Sequence, residues 1–188
     1  MSEITVLFPR AVEEFGRRVE MVKQDQWHDG TPNPGWDVHA LVNHLVNEDL
    51  WVPPLLEGKT IDEVGDAFDG DLLGEEPVSA WRDAAEKAVK AVQREGVEER
   101  TVHVSFGEIP GRDYLAQVLT DHVIHSWDLA RAIGAEERLD TELVDWVHSF
   151  IAPQAEAWRS AGAFGSKVEV PDDADAQTKL LGLTGRKA

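Results

Sequence analysis

Asp121 and His125 stand four residues apart in a segment whose remaining pattern is helical. Side chains at that spacing stack one turn above the other, so a carboxylate and an imidazole there can grip one ion or each other. At ~100° per residue, Tyr114, Val118, Asp121, His125, Asp128, Leu129 and Ala132 project within about 100° of one another. The polar groups therefore run along a side that also carries core-forming residues. Burying a carboxylate beside an imidazole costs several kcal/mol unless a partner or a metal compensates.

A second source of ligands is His44, at the edge of another apolar stripe, with Glu48 one turn beyond. Sites built from facing helices recur in bundles. Two imidazoles and one carboxylate would leave positions on a metal for water or substrate, a catalytic rather than structural style of site. Spacing alone leaves other readings open. Asp121 and His125 could form a hydrogen-bonded helix pair, or Asp121 could pair with an arginine. His122, three residues from His125, is a rival ligand. His28, His39, His103 and His148 read as surface or packing residues.

The elements that must position these groups follow from apolar periodicity and breakers. Phe8, Val12, Phe15, Val19 and Val22 mark a first helix from Ile4 to about Gln26, with Pro9 at its regular start or at a kink. Thr31-Pro32-Asn33-Pro34-Gly35 cannot continue a helix, and Asp37 is placed to cap the next one. Val38, Leu41, Val42, Leu45, Val46 and Val52 form the stripe of that second helix, which Pro53-Pro54 should kink or end. Gly58 to Gly74 is a polar connection. Gly70 and Glu76 match half of a calcium loop, but its first two ligand positions fall on Gly65 and Ala67, so the acids read as a solvated loop. Pro77 opens a third helix, stopped by Gly96. Thr101 to Phe106 alternates as a short strand, and Gly107 to Gly111 reads as a turn. A fourth helix spans Arg112 to Ile133 and stops at Gly134. Asp140 or Thr141 caps a fifth, interrupted by Pro153, and Val168 to Pro171 is extended. Asp172-Asp173-Ala174-Asp175 caps a last short helix ending near Leu183. The fold class is mainly all-α, an antiparallel four-helix bundle with short extra strands.

Composition narrows the chemistry. The 188 residues suit one ordinary domain. With 18 Lys and Arg against 36 Asp and Glu, the net charge of −18 would repel nucleic acid and anionic lipid. Cys is absent, which removes disulfides, a thiol nucleophile and Cys-ligated metals. No apolar run approaches ~18 residues and the N-terminus lacks a signal-peptide pattern, so the expected setting is the cytoplasm, with no membrane partner. Trp is frequent, 7 against a single Tyr, and Trp36, Trp51 and Trp127 could wall a pocket or fill the core.

The segments Thr31-Pro32-Asn33-Pro34-Gly35-Trp36-Asp37-Val38, Leu41-Val42-Asn43-His44-Leu45 and Asp121-His122-Val123-Ile124-His125-Ser126-Trp127-Asp128-Leu129-Ala130-Arg131-Ala132 carry a resemblance. They resemble the two metal-binding helices of the DinB-like, mycothiol-dependent maleylpyruvate isomerase N-terminal family. Phe164-Gly165, Val170-Pro171-Asp172-Asp173-Ala174-Asp175 and Leu180-Leu181-Gly182-Leu183 are similar to the tail of its single-domain actinobacterial-type branch. The resemblance implies one DinB-like domain over 1–188, with a C-terminal extension over about 164–188. It implies a divalent metal on His44, Asp121 and His125. Zinc is first in line, with nickel, iron or manganese as substitutes. The isomerase has Glu where this chain has Asp121, one methylene shorter. Asn33 stands where relatives often have Cys. Fewer than ~30 residues follow Ala163, too few for the isomerase's second domain.

The implied function is a metal-dependent transferase or isomerase that uses a small thiol, such as mycothiol, to attack a small electrophile. In it Asp128 would accept a ligand N–H or touch substrate, and Glu48 would serve as general base. A metal-dependent hydrolase and a non-catalytic module binding a metal or small ligand are the alternatives. The chain would act as a monomer or homodimer.

Overall fold

The computed structural model describes residues 3–188. The chain divides into two compact units, 1–135 and 136–188. In the first, it runs through α1 (Glu3–Val19), α2 (Val38–Leu56), the single-turn α3 (Ile61–Val64), α4 (Pro77–Val92), β1 (Thr101–Val104), β2 (Gly107–Pro110) and α5 (Gly111–Ile133). The second holds α6 (Thr141–Ile151), a 3-10 turn at Ala152–Gln154, α7 (Ala155–Ser160) and α8 (Ala176–Leu183). The fold is mainly helical, in keeping with the all-α class read from the sequence.

The four long helices of the first unit close a ring. α1 lies most extensively against α5 and less so against α4, while α2 lies most extensively against α4 and less so against α5. Each turns its apolar stripe inward. Leu7, Phe8, Ala11 and Phe15 of α1, Leu41, Leu45 and Val52 of α2, Trp81, Ala84 and Ala88 of α4, and Leu115 and Leu119 of α5 are all essentially excluded from solvent. Each large aliphatic or aromatic side chain removed from water in this way contributes about 1.5–3 kcal/mol. Close fits appear where a glycine faces a bulky neighbour. A Cβ on Gly16 would fall 2.9 Å from Nε1 of Trp81, so the notch at Gly16 admits the indole. At Gly111 a Cβ would lie only 2.0 Å from the Val97 carbonyl oxygen. That residue also donates its amide to the Arg100 carbonyl at 2.7 Å, which locks the start of α5 onto the hairpin.

Helix ends follow local chemistry. Asp37 caps α2 by accepting the Ala40 amide at 2.8 Å. Pro77 sits in the first turn of α4, and Gly134 closes α5 in the left-handed region with φ 69°. In the second unit, Asp140 accepts the Glu142 and Leu143 amides at the head of α6. Asp175 does the same for Thr178 at the head of α8.

Some boundaries differ from the sequence reading. The first helix stops at Val19, not near Gln26. Residues 20–26 form turns, and Val22 lies half-buried instead of joining the stripe. Pro9 lies inside α1, which begins ahead of it. Pro53 and Pro54 sit inside the last turn of α2, which closes at Leu56. A proline has no N–H to give the carbonyl four residues back, so the pair breaks the ladder there and the helix ends within one turn. Gly107–Pro110, read as a turn, is instead β2. It pairs antiparallel with β1 in the register Thr101↔Pro110, Val102↔Ile109, His103↔Glu108 and Val104↔Gly107. Pairing of backbones overrode a weak local preference. Pro153 interrupts the fifth helix as expected, splitting it into α6, the 3-10 turn and α7. No helix among the described residues is long and apolar enough to cross a membrane.

Candidate metal centre

His44 on α2 meets Asp121 and His125 on α5. The Nε2 of His44 lies 3.5 Å from Oδ2 of Asp121, and the His44 and His125 rings sit edge to face with centroids 5.4 Å apart. One ligand atom from each of the three residues lies within 4.8 Å of the others. A tetrahedral ion with bonds of ~2.0–2.2 Å holds its donors ~3.4 Å apart, so the His44–Asp121 pair already has that edge length and a small closure brings in His125. The side chains of His44 and Asp121 are 26% and 36% exposed while that of His125 is 9% exposed. The cluster is thus rooted in the bundle and open on one side.

Asp128, fully buried one turn beyond His125, lies with Oδ2 at 2.8 Å from Nδ1 of that ring. An ionised carboxylate only accepts, so Nδ1 carries a proton, and whenever the ring is neutral its lone pair lies on Nε2. The Asn33 amide nitrogen is 3.4 Å from the same Nδ1. Trp36 stacks on His125 at 5.9 Å and tilts against His44 at 4.9 Å. The Pro-rich turn sets both groups. Thr31 donates its amide and its hydroxyl to the Trp36 carbonyl, each at 3.0 Å, and Trp36 donates its amide to the Asn33 carbonyl at 3.1 Å. Gly35, at φ 84°, supplies the left-handed step this turn requires.

The electrostatics favour a positive charge. Burial, and then the charge of Asp121, push the Glu48 carboxyl up to about 7 against the pull of His44 and His122. Burial also works to raise Asp121, but the His44 bond and the charges of His125, His44 and His122 outweigh it and hold its carboxyl below the usual range. Burial likewise lowers His44, yet Asp121 and Glu48 leave it above its ordinary value. A cation between these acids would relieve their mutual repulsion. The donor set therefore fits a divalent ion.

His122 turns away from this cluster. Its ring is wholly buried among Phe8, Phe15 and Trp81. Nδ1 lies 2.8 Å from the Val118 carbonyl, and Nε2 faces the two oxygens of buried Asp49 at 3.3 and 3.4 Å. Neither the carbonyl nor an ionised carboxylate donates, so both ring nitrogens have a partner only when the pair holds a second proton. Burial works against that charge, but Asp49 outweighs it and keeps His122 above its ordinary value. The signal for this pair was available: Asp49 occupies a core position in the stripe of Leu45, Val46 and Val52.

The remaining candidates sort themselves. His28 pairs with Asp37 at 3.0 Å, His39 with Asp71 at 3.4 Å, and His103 with Glu108 across the hairpin at 3.4 Å. Among the three indoles considered, Trp51 packs on Phe68, Trp127 is buried beneath the Arg131 guanidinium, and Trp36 alone borders the cluster. The acidic connection is clamped to α2. Asn43 donates to the Gly70 carbonyl and accepts the Leu72 amide, at 3.0 and 2.7 Å, and Asn47 donates to the Phe68 carbonyl at 2.7 Å.

Known proteins share this architecture. The crystal structure of the mycothiol-dependent maleylpyruvate isomerase superposes with a TM-score of 0.60 at 16% identity, covering 88% of this chain and 74% of the other. A histidine-to-alanine mutant of that enzyme gives the same values. At that identity the likeness is one of fold. Uncharacterized protein Rv0738 of Mycobacterium tuberculosis (strain ATCC 25618 / H37Rv) is 30% identical over 94% of both chains. Uncharacterized protein MT0763 of strain CDC 1551 / Oshkosh gives the same figures. Residues 8–130, which carry the ring of helices together with His44, Asp121 and His125, match the model of the mycothiol maleylpyruvate isomerase N-terminal domain. By that match the chain belongs to the mycothiol maleylpyruvate isomerase N-terminal domain family.

Proposed function

We propose that this chain binds a divalent metal through His44, Asp121 and His125 and uses it to run thiol-dependent chemistry on a small electrophile, as a transferase or isomerase with mycothiol or a similar thiol as cosubstrate. The observation that carries this is the convergence of two imidazoles and one carboxylate on an open side of the bundle. Zinc suits the donor set best. A dication held by these residues would supply positive charge that favours the thiolate form of a small thiol at neutral pH.

The chain's own residues supply the rest. Asp128 would fix the His125 tautomer that carries its lone pair on Nε2. Trp36 covers one side of both imidazoles and restricts the approach of water. Glu48, one turn from His44 and raised by burial and by Asp121, would take and return a proton. No protein thiol is required, and the sequence has none.

The test is metal analysis followed by turnover with mycothiol and a panel of electrophiles. About one metal per chain is expected, with consumption of the electrophile that needs the thiol and is lost in His44→Ala. Turnover that survives His44→Ala, or proceeds equally without thiol, would overturn the assignment. The second outcome would favour hydrolysis. Saturable ligand binding without turnover would make the chain a binding module.

A further inference from the structure

The metal cluster straddles the seam between α2 and α5, and that seam is one of the less extensive contacts in the ring, since α2 leans chiefly on α4 and α5 on α1. Apolar contacts alone are non-directional and tolerate small slides and rotations. Yet the ligands demand a fixed relation between exactly these two helices. The same seam carries a second polar crossing beside the first. His44 of α2 reaches Asp121 of α5, and in the reverse sense Asp49 of α2 meets His122 of α5. Asp121 and His122 are neighbours in sequence, so a shift that displaces one crossing displaces the other. The inner crossing is wholly buried, and His122 is held from behind by the Val118 carbonyl.

We infer that Asp49 and His122 are positioning residues that set the register of α2 against α5, so that His44 meets Asp121 and His125 within ligand distance. This rests on the metal reading of the outer cluster. The geometric basis is specific. Sliding α5 by one residue along its axis moves it by ~1.5 Å, enough to break the 3.3 Å contact between His122 and Asp49 and to open the 3.5 Å edge between His44 and Asp121. A buried pair of this kind is weak as a source of stability but is well suited to selecting one register.

The experiment compares the full chain with Asp49→Asn, which keeps a hydrogen-bonding amide, and with Asp49→Leu/His122→Phe, which replaces the crossing with apolar groups of similar bulk. Two signals are read: titration with Co²⁺, following its visible d–d spectrum, and, without metal, the NMR contact between the His44 and His125 rings. The doubly apolar chain is expected to keep its far-UV circular dichroism, lose ~10–100-fold in Co²⁺ affinity with an altered spectrum, and lose the ring–ring contact, whereas Asp49→Asn keeps both. A folded apolar variant with unchanged affinity, spectrum and ring contact overturns the inference. Should that variant not fold, Asp49→Glu, which keeps both partners but lengthens the crossing by one methylene, is read the same way with the same expected losses. If the unaltered chain takes up no Co²⁺, the metal reading falls, and the ring–ring contact in the metal-free variants still decides the register role.

Discussion

Removing one partner of the Asp49–His122 crossing should be far more damaging than removing both. The two groups are wholly buried and 3.3 Å apart. With an effective dielectric near 20, an ion pair at that separation is worth about 5 kcal/mol of attraction, most of it spent on desolvating the two charges. Asp49→Leu or His122→Leu leaves the other group buried without its partner, and each should cost about 3–5 kcal/mol. For a chain of this length that lowers the melting temperature by roughly 6–20 °C. Asp49→Leu/His122→Leu should fall within about 1 kcal/mol of the unaltered protein or exceed it, because neither a charge nor a cavity remains. Guanidinium unfolding of the four proteins closes the cycle, with the two single losses summing to far more than the double. Single variants that lose under about 1 kcal/mol, or losses that simply add, would refute the claim that the two groups are energetically joined.

Asp128→Asn should lower metal affinity ~10–100-fold while leaving the helical circular dichroism intact, and competition with a chelator measures it. Trp36→Phe should abolish the change in tryptophan fluorescence on metal addition, because Trp36 is the indole against both imidazoles. Gly111→Ala forces a Cβ against the Val97 carbonyl, and a loss of at least about 1–3 kcal/mol in urea unfolding is expected. Asp175 is held below its ordinary carboxyl value chiefly by the Thr178 amide, with burial opposing. A lowered value in the folded chain means that its contribution is present above the ordinary pKa of 3.8 and is lost as pH falls through the lowered one, so amide exchange at Thr178 should accelerate only in that acid range.

The helices were legible because their stripes are long and their ends are chemically marked. Asp37, Pro77, Gly134, Asp140 and Asp175 all stand at the ends they announced. The cluster was legible in part. Its members on α5 share a face by spacing alone, while the approach of His44 required the pairing of α2 with α5, which no local pattern encodes. His122 could not be separated from His125 by spacing, since residues three and four apart are equally plausible neighbours. The direction of each ring is decided by the whole bundle. β2 escaped notice because Gly107-Glu108-Ile109-Pro110 has little strand character until β1 supplies a partner. Trp36 and Asn33 reach the cluster through a turn whose shape depends on Thr31 and Gly35, which is tertiary information in a short span.

The clamp on the acidic connection changes what drift this region can bear. Asn43 and Asn47 seize only main-chain groups of Phe68, Gly70 and Leu72, not their side chains. Neither asparagine is interchangeable, and between Asp66 and Gly74 side-chain identity counts chiefly at Phe68 against Trp51, Gly70 at φ 84°, Asp71 beside His39 and the buried Leu73. Descendants of this chain could rewrite the loop's other positions while its path stays fixed, and a saturation library should show intolerant columns at the two asparagines, Gly70 and Leu73 beside permissive neighbours.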